Sequence, residues 1–528
     1  MIRPAFVAAF AVASFANAQT PRVPSYDIVI RGGTVIDGSG APRRRADVAI
    51  AGDQIVAVAR SIAPGSATVI NATGLIVAPG FIDNHAHLVT LEQKPLAENF
   101  VRQGITTIMA SLHSQDEPWP LGEYARRVRM VPNVGLFAGH TWIRKRVMGL
   151  ANRSPTSAEL DWMRALVDSS MRQGALGLAT GLEYVPANYA KTDEVVALAR
   201  VAAGFGGIYV THLRDEGVHL IDAVDEAIQI GRDAALPVLI NHHKVTGAKQ
   251  FGASATSLAH IDAAVRAGQR VAHDLYPYTA FSTYSDVMFP SWALADGPAA
   301  FAKRVADPAI RARLVSEMLT IFPEQAGRGP ESIQFREMKN APALQGKTLA
   351  DYLRARGEPT TVAGAVNGLI TLQLGGGFIG IFHAMDDADV IRIMRHPLAM
   401  FETDGDLVER NAGFPHPRSL GSFPRLLGTY VREKHVLTLE QAVQKMTSQP
   451  AAWWGQTDRG LLAAGKSADV VLFDAKTIAD RAQYTDPNHD PDGIRMVLVN
   501  GRVVFAGGAM TGAMPGRFLK RSLPAEPR

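Results

Sequence analysis

The sequence contains no cysteine, so disulfide bonds are excluded. It also lacks an excess of either charge, with 54 Lys and Arg against 50 Asp and Glu. Its basic clusters, at 43–45 and 144–146, are short and isolated, which is typical of solvated loops rather than of a nucleic-acid surface. Beyond the N-terminus, no run reaches the roughly 20 apolar residues that a membrane span needs. We therefore expect neither a nucleic-acid partner nor a membrane partner.

The first 18 residues have the order of a secretory signal peptide. Arg3 precedes the apolar stretch "PAFVAAFAVASFA", which ends in the small-residue pattern "ANA" at 16–18. This pattern predicts cleavage after Ala18 and an exported, periplasmic or secreted protein. The alternative is a disordered or membrane-anchoring start. An exported chain without cysteine must be held together by its core alone.

Both ends of the remaining chain have the same pattern. Residues 26–78 read as short alternating strands with turn signals, and "ADVVLFDAKT" and "IRMVLVNGRVVFAGG" repeat that pattern near the C-terminus. The sequence therefore predicts that 24–78 and 456–528 pair into one small β-sandwich domain. A chain of 528 residues leaves room for a larger domain between them.

The central segment, 79–455, alternates apolar strand-like runs with helical patterns, which favours a parallel sheet. The eight runs are 80–88, 104–113, 133–141, 174–184, 207–216, 237–244, 270–278 and 399–405. Eight such units predict an α/β fold of the TIM (β/α)8 barrel type. A long insertion, about 285–395, separates the last two runs and is expected to form helices that cap the barrel mouth.

Polar side chains stand where these runs end. "GFIDNHAHL" places His85 and His87 two residues apart, so both imidazoles face the same side of a strand. An isolated pair of this kind is commonly structural. Here, however, five histidines and two acids stand at six separate run ends: His85, His87, His113, Glu183, His212, His242 and Asp404. Since the active site of such barrels lies at the strands' C-terminal ends, the pattern predicts a metal site there.

The motifs in combination resemble the amidohydrolase superfamily and, within it, the D-aminoacylase or N-acyl-D-amino-acid deacylase family. The resemblance covers nearly all of 26–510. It is carried by "VIRGGTVIDGSG", "GLIVAPGFIDNHAH", "GLEYVPANYAKTDE", "THLRDE", "NHHK", "DLYPYTA", "TDGD", "PHPRSLGSFPRLLGTYVRE" and "KMTSQPAAWWG". It implies a zinc-dependent hydrolase, with one or two Zn²⁺ per chain, that cleaves the amide of a small N-acyl-D-amino acid.

The resemblance also implies roles for individual residues. His85 and His87 match the ligands of one, often weakly occupied, metal site. His212 and His242 match ligands of a tighter zinc site. Asp404 matches the barrel-end aspartate that serves as general base and acid.

Further positions match the part of the family's pocket that holds the substrate's α-carboxylate. Arg418 of "PHPR" is the first, and its planar guanidinium suits a carboxylate because it can donate two parallel hydrogen bonds. Tyr184 and a tyrosine of "YPY", Tyr278 rather than Tyr276, are expected to assist it. Two further pocket positions are Lys244 and His383.

One departure from the family concerns the second strand. The family has a zinc-binding cysteine there, whereas aligning "GITT" places His113 at that position. Imidazole is an acceptable zinc ligand, but it carries no negative charge to bridge two cations. Glu183 stands where other amidohydrolases have a carbamylated lysine and is the other candidate for the bridge. The sequence leaves both possibilities and the metal count open.

Two other functions stay open. One is a metallo-amidase or dipeptidase of the same superfamily that acts on another N-acyl or peptide-like substrate. The other is a non-catalytic homologue, against which the presence of both histidine pairs, Asp404 and Arg418 argues. The acyl group, the side-chain preference and the oligomeric state are not determined by the sequence.

Overall fold

The computed structural model of the chain describes residues 25–110 and 118–520. The predicted signal peptide and His113 lie outside the described residues. The N-terminal part consists of five strands: β1 Ile28–Val35, β2 Arg44–Ala51, β3 Gln54–Ala59, β4 Thr68–Asn71 and β5 Ile76–Pro79.

Strands and helices then alternate. This part contains β6 Phe81–His87, α1 Glu98–Val101, β7 Ile105–Ala110, α2 Leu121–Arg127, β8 Asn133–Leu136, β9 Ala138–Gly139, α3 His140–Met148, α4 Ser157–Arg172, β10 Gly177–Gly181, α5 Thr192–Gly204, β11 Ile208–His212, α6 Leu220–Ala234, β12 Val238–Ile240, α7 Ser254–Arg266 and β13 Val271–Leu275. The strands are buried along their length, as expected for a sheet that is covered on both faces.

A mixed segment follows β13. Its elements are β14 Phe281–Tyr284, α8 Ser291–Leu294, α9 Pro298–Ala306, α10 Pro308–Gln325, β15 Ile333–Glu337, α11 Leu349–Ala355, α12 Val362–Leu374 and β16 Ile379–Phe382. The three strands form an antiparallel sheet in the order β14-β16-β15. Helices and this sheet share a core of their own, built around Phe322, Phe335 and Phe382.

The last part begins with strands and helices and ends in a series of strands. It contains α13 Asp387–Arg395, β17 Ala399–Phe401, β18 Gly405–Asp406, α14 Arg418–Arg425, a π-helical segment Leu426–Glu433, α15 Leu439–Met446, α16 Ser448–Trp453, β19 Val470–Phe473, β20 Ile494–Val499, β21 Arg502–Ala506, β22 Ala509–Met510 and β23 Phe518–Leu519. Among the described residues, no helix is both long and apolar enough to span a bilayer.

The two chain ends meet in one nine-stranded sheet. Its order is β22-β21-β20-β19-β5-β1-β2-β3, with β4 paired to β1. The antiparallel pairing of β19 with β5 joins the C-terminal strands to the N-terminal ones. Both ends therefore pair as the sequence predicts, whereas the two-layered sandwich and the domain boundaries stay predictions.

The remaining strands form two parallel sheets, in the orders β17-β13-β12-β11-β10-β9 and β18-β6-β7-β8-β23. Only Phe137 separates β8 from β9, and three residues separate β17 from β18, so the two sheets adjoin at both places. One buried apolar cluster contains a side chain from each of the eight predicted runs: Ile82, Met109, Phe137, Ala179, Val210, Leu239, Ala272 and Met400. The predicted α/β class is confirmed.

Candidate metal centre

The carboxyl ends of the parallel strands bring the predicted polar residues together. His85 and His87 are at the end of β6, and His212 is the last residue of β11. Glu183 and His242 each follow a strand by two residues, after β10 and β12. Because β10, β11 and β12 are adjacent and parallel, their end residues meet at one edge.

His212 lies between two of the predicted site residues. Its Nε2 is 2.8 Å from Glu183 Oε2, and its Nδ1 is 2.9 Å from His242 Nε2. His212 and His242 are almost fully buried. These contacts bring two imidazoles and one carboxylate together at the carboxyl ends of adjacent strands.

Glu216 is a site residue that the sequence reasoning missed. Its Oε1 is 2.9 Å from His242 Nδ1, and Lys244 Nζ donates to its two oxygens at 2.7 and 2.8 Å. Glu216 thus orients the ring of His242 and directs Nε2 toward His212. The signal in the sequence was its place in "THLRDE", four residues after His212.

His85 and His87 meet Asp404 from the neighbouring strand. Their Nε2 atoms lie 3.3 and 3.0 Å from Asp404 Oδ1. The second carboxylate oxygen, Oδ2, faces Arg418 Nη1 at 2.7 Å. Asp404 therefore stands between the two histidines and the predicted carboxylate anchor.

The charges around Asp404 keep it ionised. Burial acts to raise the pKa of the Asp404 carboxyl, but Arg418 and the neighbouring imidazoles hold that pKa well below its usual range. Asp404 is therefore in its carboxylate form at neutral pH.

Burial acts to raise the pKa of a carboxyl group, but it lowers the pKa of the imidazoles. It lowers the pKa of both His85 and His212 to about 4. Both rings are therefore neutral at neutral pH, which is the form that binds a metal. Burial also raises the pKa of the Glu183 carboxyl well above its usual range, and a nearby cation would reverse that effect.

The backbone is strained at two of the site residues. His242 and Asp404 have φ angles of 36° and 47°, in the left-handed region that non-glycine residues rarely adopt. Such a conformation costs about 1–3 kcal/mol and persists only where neighbours hold it. Asp274 does so at His242, whose backbone N–H donates to it at 2.6 Å. The backbone N–H of Asp404 donates to the His85 carbonyl at 2.9 Å.

Asp83 and Thr403 reinforce this contact between β6 and the Asp404 loop. The Thr403 hydroxyl and backbone N–H donate to the Asp83 carboxylate at 2.6 and 2.9 Å. Asp83 is fully buried. The aspartate of "FIDNHAH" therefore helps to position the loop that carries Asp404.

The predicted carboxylate-binding residues are only partly brought together. The Tyr184 hydroxyl lies 3.4 Å from His212 Nδ1, and Thr283 donates to that hydroxyl at 3.0 Å. Lys244 is engaged by Glu216. His383 instead lies 3.3 Å from Gln334 and packs against Tyr484.

The role of Tyr278, rather than Tyr276, in holding the substrate carboxylate stays a prediction, and the two rings have different surroundings. Tyr278 is fully buried, and its hydroxyl donates to Asp480 at 2.8 Å and lies 3.3 Å from the carbonyl oxygen of Pro417, the residue before Arg418. Tyr276 instead lies beneath the Arg418 guanidinium, 4.9 Å from ring centre to Cζ. The chain turns immediately after β13 at Leu275, so strand alternation does not govern where these two rings point.

The donor set fits a bound metal ion. Two groups of three buried residues have ligand atoms within 4.8 Å of one another, His212 with Glu216 and His242, and His85 with His242 and Asp404. Two zinc-bound imidazole nitrogens at about 2.0–2.1 Å from the ion lie about 3.3 Å apart in a tetrahedral site, close to the 2.9 Å between His212 and His242. Glu216, although bonded to Lys244, belongs to the first group, whereas Glu183 contacts the Nε2 of His212 from outside it.

A cavity opens onto this centre. Its lining residues are His87, Tyr184, His212, His242, Ser282, Thr283, Tyr284, Arg336, Ile379, Asp404, Asp406 and Arg418. An outer cavity of about 920 Å³ shares His87, Tyr284, Arg336 and Asp406 with it. The arrangement joins a metal-binding cluster, an ionised aspartate and a guanidinium at the bottom of an open pocket.

Parallel strands that carry metal ligands at their carboxyl ends, with an aspartate beside them, define the class of metal-dependent hydrolases. Comparison with known proteins identifies the family. The model of the amidohydrolase family matches residues 68–505, and the chain belongs to that family.

Individual members of the family are similar to the chain over nearly its full length. The chain is 35% identical to a D-aminoacylase of Alcaligenes xylosoxydans xylosoxydans, over 94% of this chain and 98% of that protein. It is 36% identical to an N-acyl-D-glutamate deacylase of the same organism, over 94% and 96%. A solved structure, the N-acyl-D-glutamate deacylase of Bordetella bronchiseptica with zinc and a phosphonate inhibitor, superposes with a TM-score of 0.77. It is 32% identical and covers 94% of this chain and 100% of that one.

Proposed function

We propose that the protein is a zinc-dependent hydrolase that cleaves the amide bond of N-acyl-D-amino acids and releases a carboxylate and the free D-amino acid. The observation that carries this proposal is the position of Asp404. One carboxylate oxygen faces the histidines, and the other faces Arg418. A group that moves protons thus stands between a metal centre and a carboxylate anchor, as hydrolysis of an N-acyl amino acid requires.

His212 and His242 would hold the tighter zinc ion, and His85 and His87 would hold a second one. Glu183 contacts Nε2 of His212, the nitrogen opposite the one that faces His242, so its role as a ligand or bridge stays a prediction. Whether His113 completes the set stays a prediction. A zinc ion held there would lower the pKa of a water molecule to about 7 and polarise a carbonyl group.

The protein's own residues then move the proton and hold the substrate. Asp404, ionised because of Arg418 and the imidazoles, accepts a proton from the attacking water and passes it to the leaving amine nitrogen. Arg418 has five N–H donors, so it can bind the α-carboxylate while it keeps its contact with Asp404. Tyr276 supports the guanidinium from below.

We infer that the two parallel sheets are one closed TIM barrel, made of residues 79–455. The support is that 133–139 and 399–406 each contribute to both sheets and that one apolar cluster draws a side chain from all eight runs. The inserted segment 285–395 caps the mouth, because Ile379 and Arg336 line the inner cavity. Residues 24–78 and 456–528 form the second, smaller domain.

Replacing Arg418 with methionine should lower kcat/KM for N-acetyl-D-amino acids by about 30-fold or more. The reason is that loss of one member of a buried charge pair costs about 2–5 kcal/mol. Steady-state kinetics measure this effect. Arg425→Met is a matched control, since Arg425 lies over Tyr278 and outside the cavity. A loss at Arg418 that is no larger than at Arg425 would show that Arg418 is not the carboxylate anchor.

Replacing Glu216 with glutamine should weaken zinc binding by about 10- to 100-fold, the usual effect of losing a carboxylate that orients a ligating histidine. Competition with a metal-binding dye measures the affinity. The control is Asp225→Asn, which neutralises an exposed carboxylate partner of a histidine outside the site, His260, and should leave the affinity unchanged. If the zinc affinity of the Glu216 variant is unaltered, Glu216 does not orient His242 for metal binding and serves only as the ion-pair partner of Lys244.

We also propose that residues 1–18 are a signal peptide and that the mature protein is exported and starts at Gln19. The support is the order of Arg3, the apolar run and "ANA". N-terminal sequencing of the protein from a native-like host tests this. Recovery of cytoplasmic protein with Met1 intact would exclude export.

The function itself is tested with a panel of substrates. Zinc-loaded protein should hydrolyse N-acetyl-D-amino acids with a free carboxylate and should act poorly on their methyl esters and on simple amides, which cannot engage Arg418. Acid and ester hydrolysed at equal rates would exclude the deacylase and favour the broader metallo-amidase or dipeptidase.

A further inference from the structure

A second arginine lines the inner cavity, and it comes from the inserted segment. Arg336 lies on β15, and Asp406 lies on β18, two residues after Asp404. Arg336 Nη2 is 2.5 Å from Asp406 Oδ2, and Nη1 donates to the Ser282 hydroxyl at 3.1 Å. The two side chains are only 14% and 22% exposed, so solvent screens this pair weakly.

The two arginines of the cavity are arranged in the same way. Arg418 Nη2 donates to the Ser282 carbonyl at 3.3 Å, while Arg336 donates to the hydroxyl of the same residue. Each guanidinium has its own carboxylate partner, Asp404 for Arg418 and Asp406 for Arg336. The cavity therefore contains a second guanidinium near the α-carboxylate anchor, and its charge is already balanced.

The Arg336–Asp406 pair also lies where the inner and outer cavities join, since both residues line both cavities. The outer cavity is lined by apolar side chains, among them Val89, Trp142, Leu150, Val185 and Phe414, and by the charged side chains of Lys94, Lys145, Glu337, Lys339 and Glu409. A substrate side chain that leaves the metal centre in this direction therefore passes the Arg336–Asp406 pair before it reaches the outer cavity.

We propose that Asp406 determines the substrate's side-chain class: by pairing with Arg336, it makes the protein selective for N-acyl-D-amino acids with uncharged side chains and rejects acidic ones. This inference rests on the proposed function. A glutamate or aspartate side chain would need the Arg336 guanidinium, and Asp406 both occupies that group and repels the incoming carboxylate. A protein side chain with the same charge as an unwanted ligand repels that ligand and so contributes to specificity.

Sequence identity to relatives does not distinguish a preference for uncharged side chains from a preference for acidic ones. The chain is 35% identical to a D-aminoacylase and 36% identical to an N-acyl-D-glutamate deacylase. The contacts of Arg336 supply the distinction instead.

The experiment compares kcat/KM of the zinc-loaded full-length protein for N-acetyl-D-leucine and N-acetyl-D-glutamate. The wild type should prefer the leucine substrate at least about tenfold. Asp406→Asn frees the guanidinium and should shift the ratio toward glutamate by about tenfold or more. The double variant R336M/D406N should lose that gain. Glu337→Gln removes a charge from the outer cavity and leaves the Arg336–Asp406 ion pair in place. It should shift the ratio less than about threefold.

The outcomes separate this inference from the proposed function. If the wild type hydrolyses neither substrate, the proposed function fails. If it hydrolyses both but prefers glutamate or treats them equally, the inference is wrong and the function stands. The inference is also wrong if D406N leaves the ratio unchanged or if E337Q shifts it as much. Should D406N fail to fold, as judged by circular dichroism, the wild-type ratio decides.

Discussion

Replacing His242 with alanine is expected to remove the tightly bound zinc and abolish hydrolysis. His242 is buried, it approaches His212 at 2.9 Å through Nε2, and Glu216 and Asp274 hold its ring and backbone. Alanine removes the ligand itself. Zinc affinity should therefore fall by more than the about 10- to 100-fold that loss of an orienting partner causes. Metal analysis after gel filtration measures the zinc content, and steady-state kinetics measure turnover.

The adjacent histidine provides a matched control. His243 is equally buried, but its Nε2 lies 2.8 Å from the Ser257 hydroxyl, outside the metal centre. His243→Ala should lower the melting temperature while the protein keeps its zinc. Full zinc content and activity in the His242 variant would show that the ligands have been assigned wrongly.

Replacing Asp404 with asparagine should lower kcat by about 10²- to 10⁴-fold, the usual contribution of a general base. The amide cannot accept the proton, although its size still fits between the histidines and Arg418. The tighter zinc should remain, because His212 and His242 do not depend on Asp404 for their contact. Kinetics and metal analysis of one sample measure both quantities.

Glu409→Gln is the control for this change, since Glu409 lies five residues further along the same loop and is 69% exposed. It should retain turnover within about twofold. A loss below tenfold in Asp404→Asn would make Asp404 a structural residue that holds Arg418.

Much of this architecture could be predicted from local sequence patterns. Each of the eight apolar runs contains a strand, because burial on both faces of a parallel sheet requires nearly continuous apolar residues. The spacing of His85 and His87 placed both at one strand end, and the run ends placed Asp404 and His242 near them.

Residues whose roles depend on distant partners could not be predicted in this way. Glu216 acts on His242, 26 positions later, and Asp274 holds the backbone of the same histidine from the next strand. Arg336 reaches the cavity only because the inserted β15 folds over β18. Nothing in the local pattern around these residues signals such contacts, since they arise from the packing of separate elements.

The different surroundings of Tyr276 and Tyr278 could not be predicted for another reason. Both tyrosines follow β13 in a proline-containing turn, where the alternation of a strand no longer holds. The buried carboxylate of Asp480, contributed by the C-terminal part of the chain, captures the Tyr278 hydroxyl. Only the folded chain brings these two residues together.

The most direct test of the central claim is the rate of hydrolysis of N-acetyl-D-leucine and N-acetyl-L-leucine by the same zinc-loaded sample, before and after chelation. A carboxylate fixed at Arg418 and a carbonyl fixed at the metal leave only one direction for the side chain. We therefore expect hydrolysis of the D-enantiomer, little hydrolysis of the L-enantiomer, and loss of activity on chelation that zinc restores. Equal rates on the two enantiomers, or activity that survives complete removal of the metal, would contradict the claim.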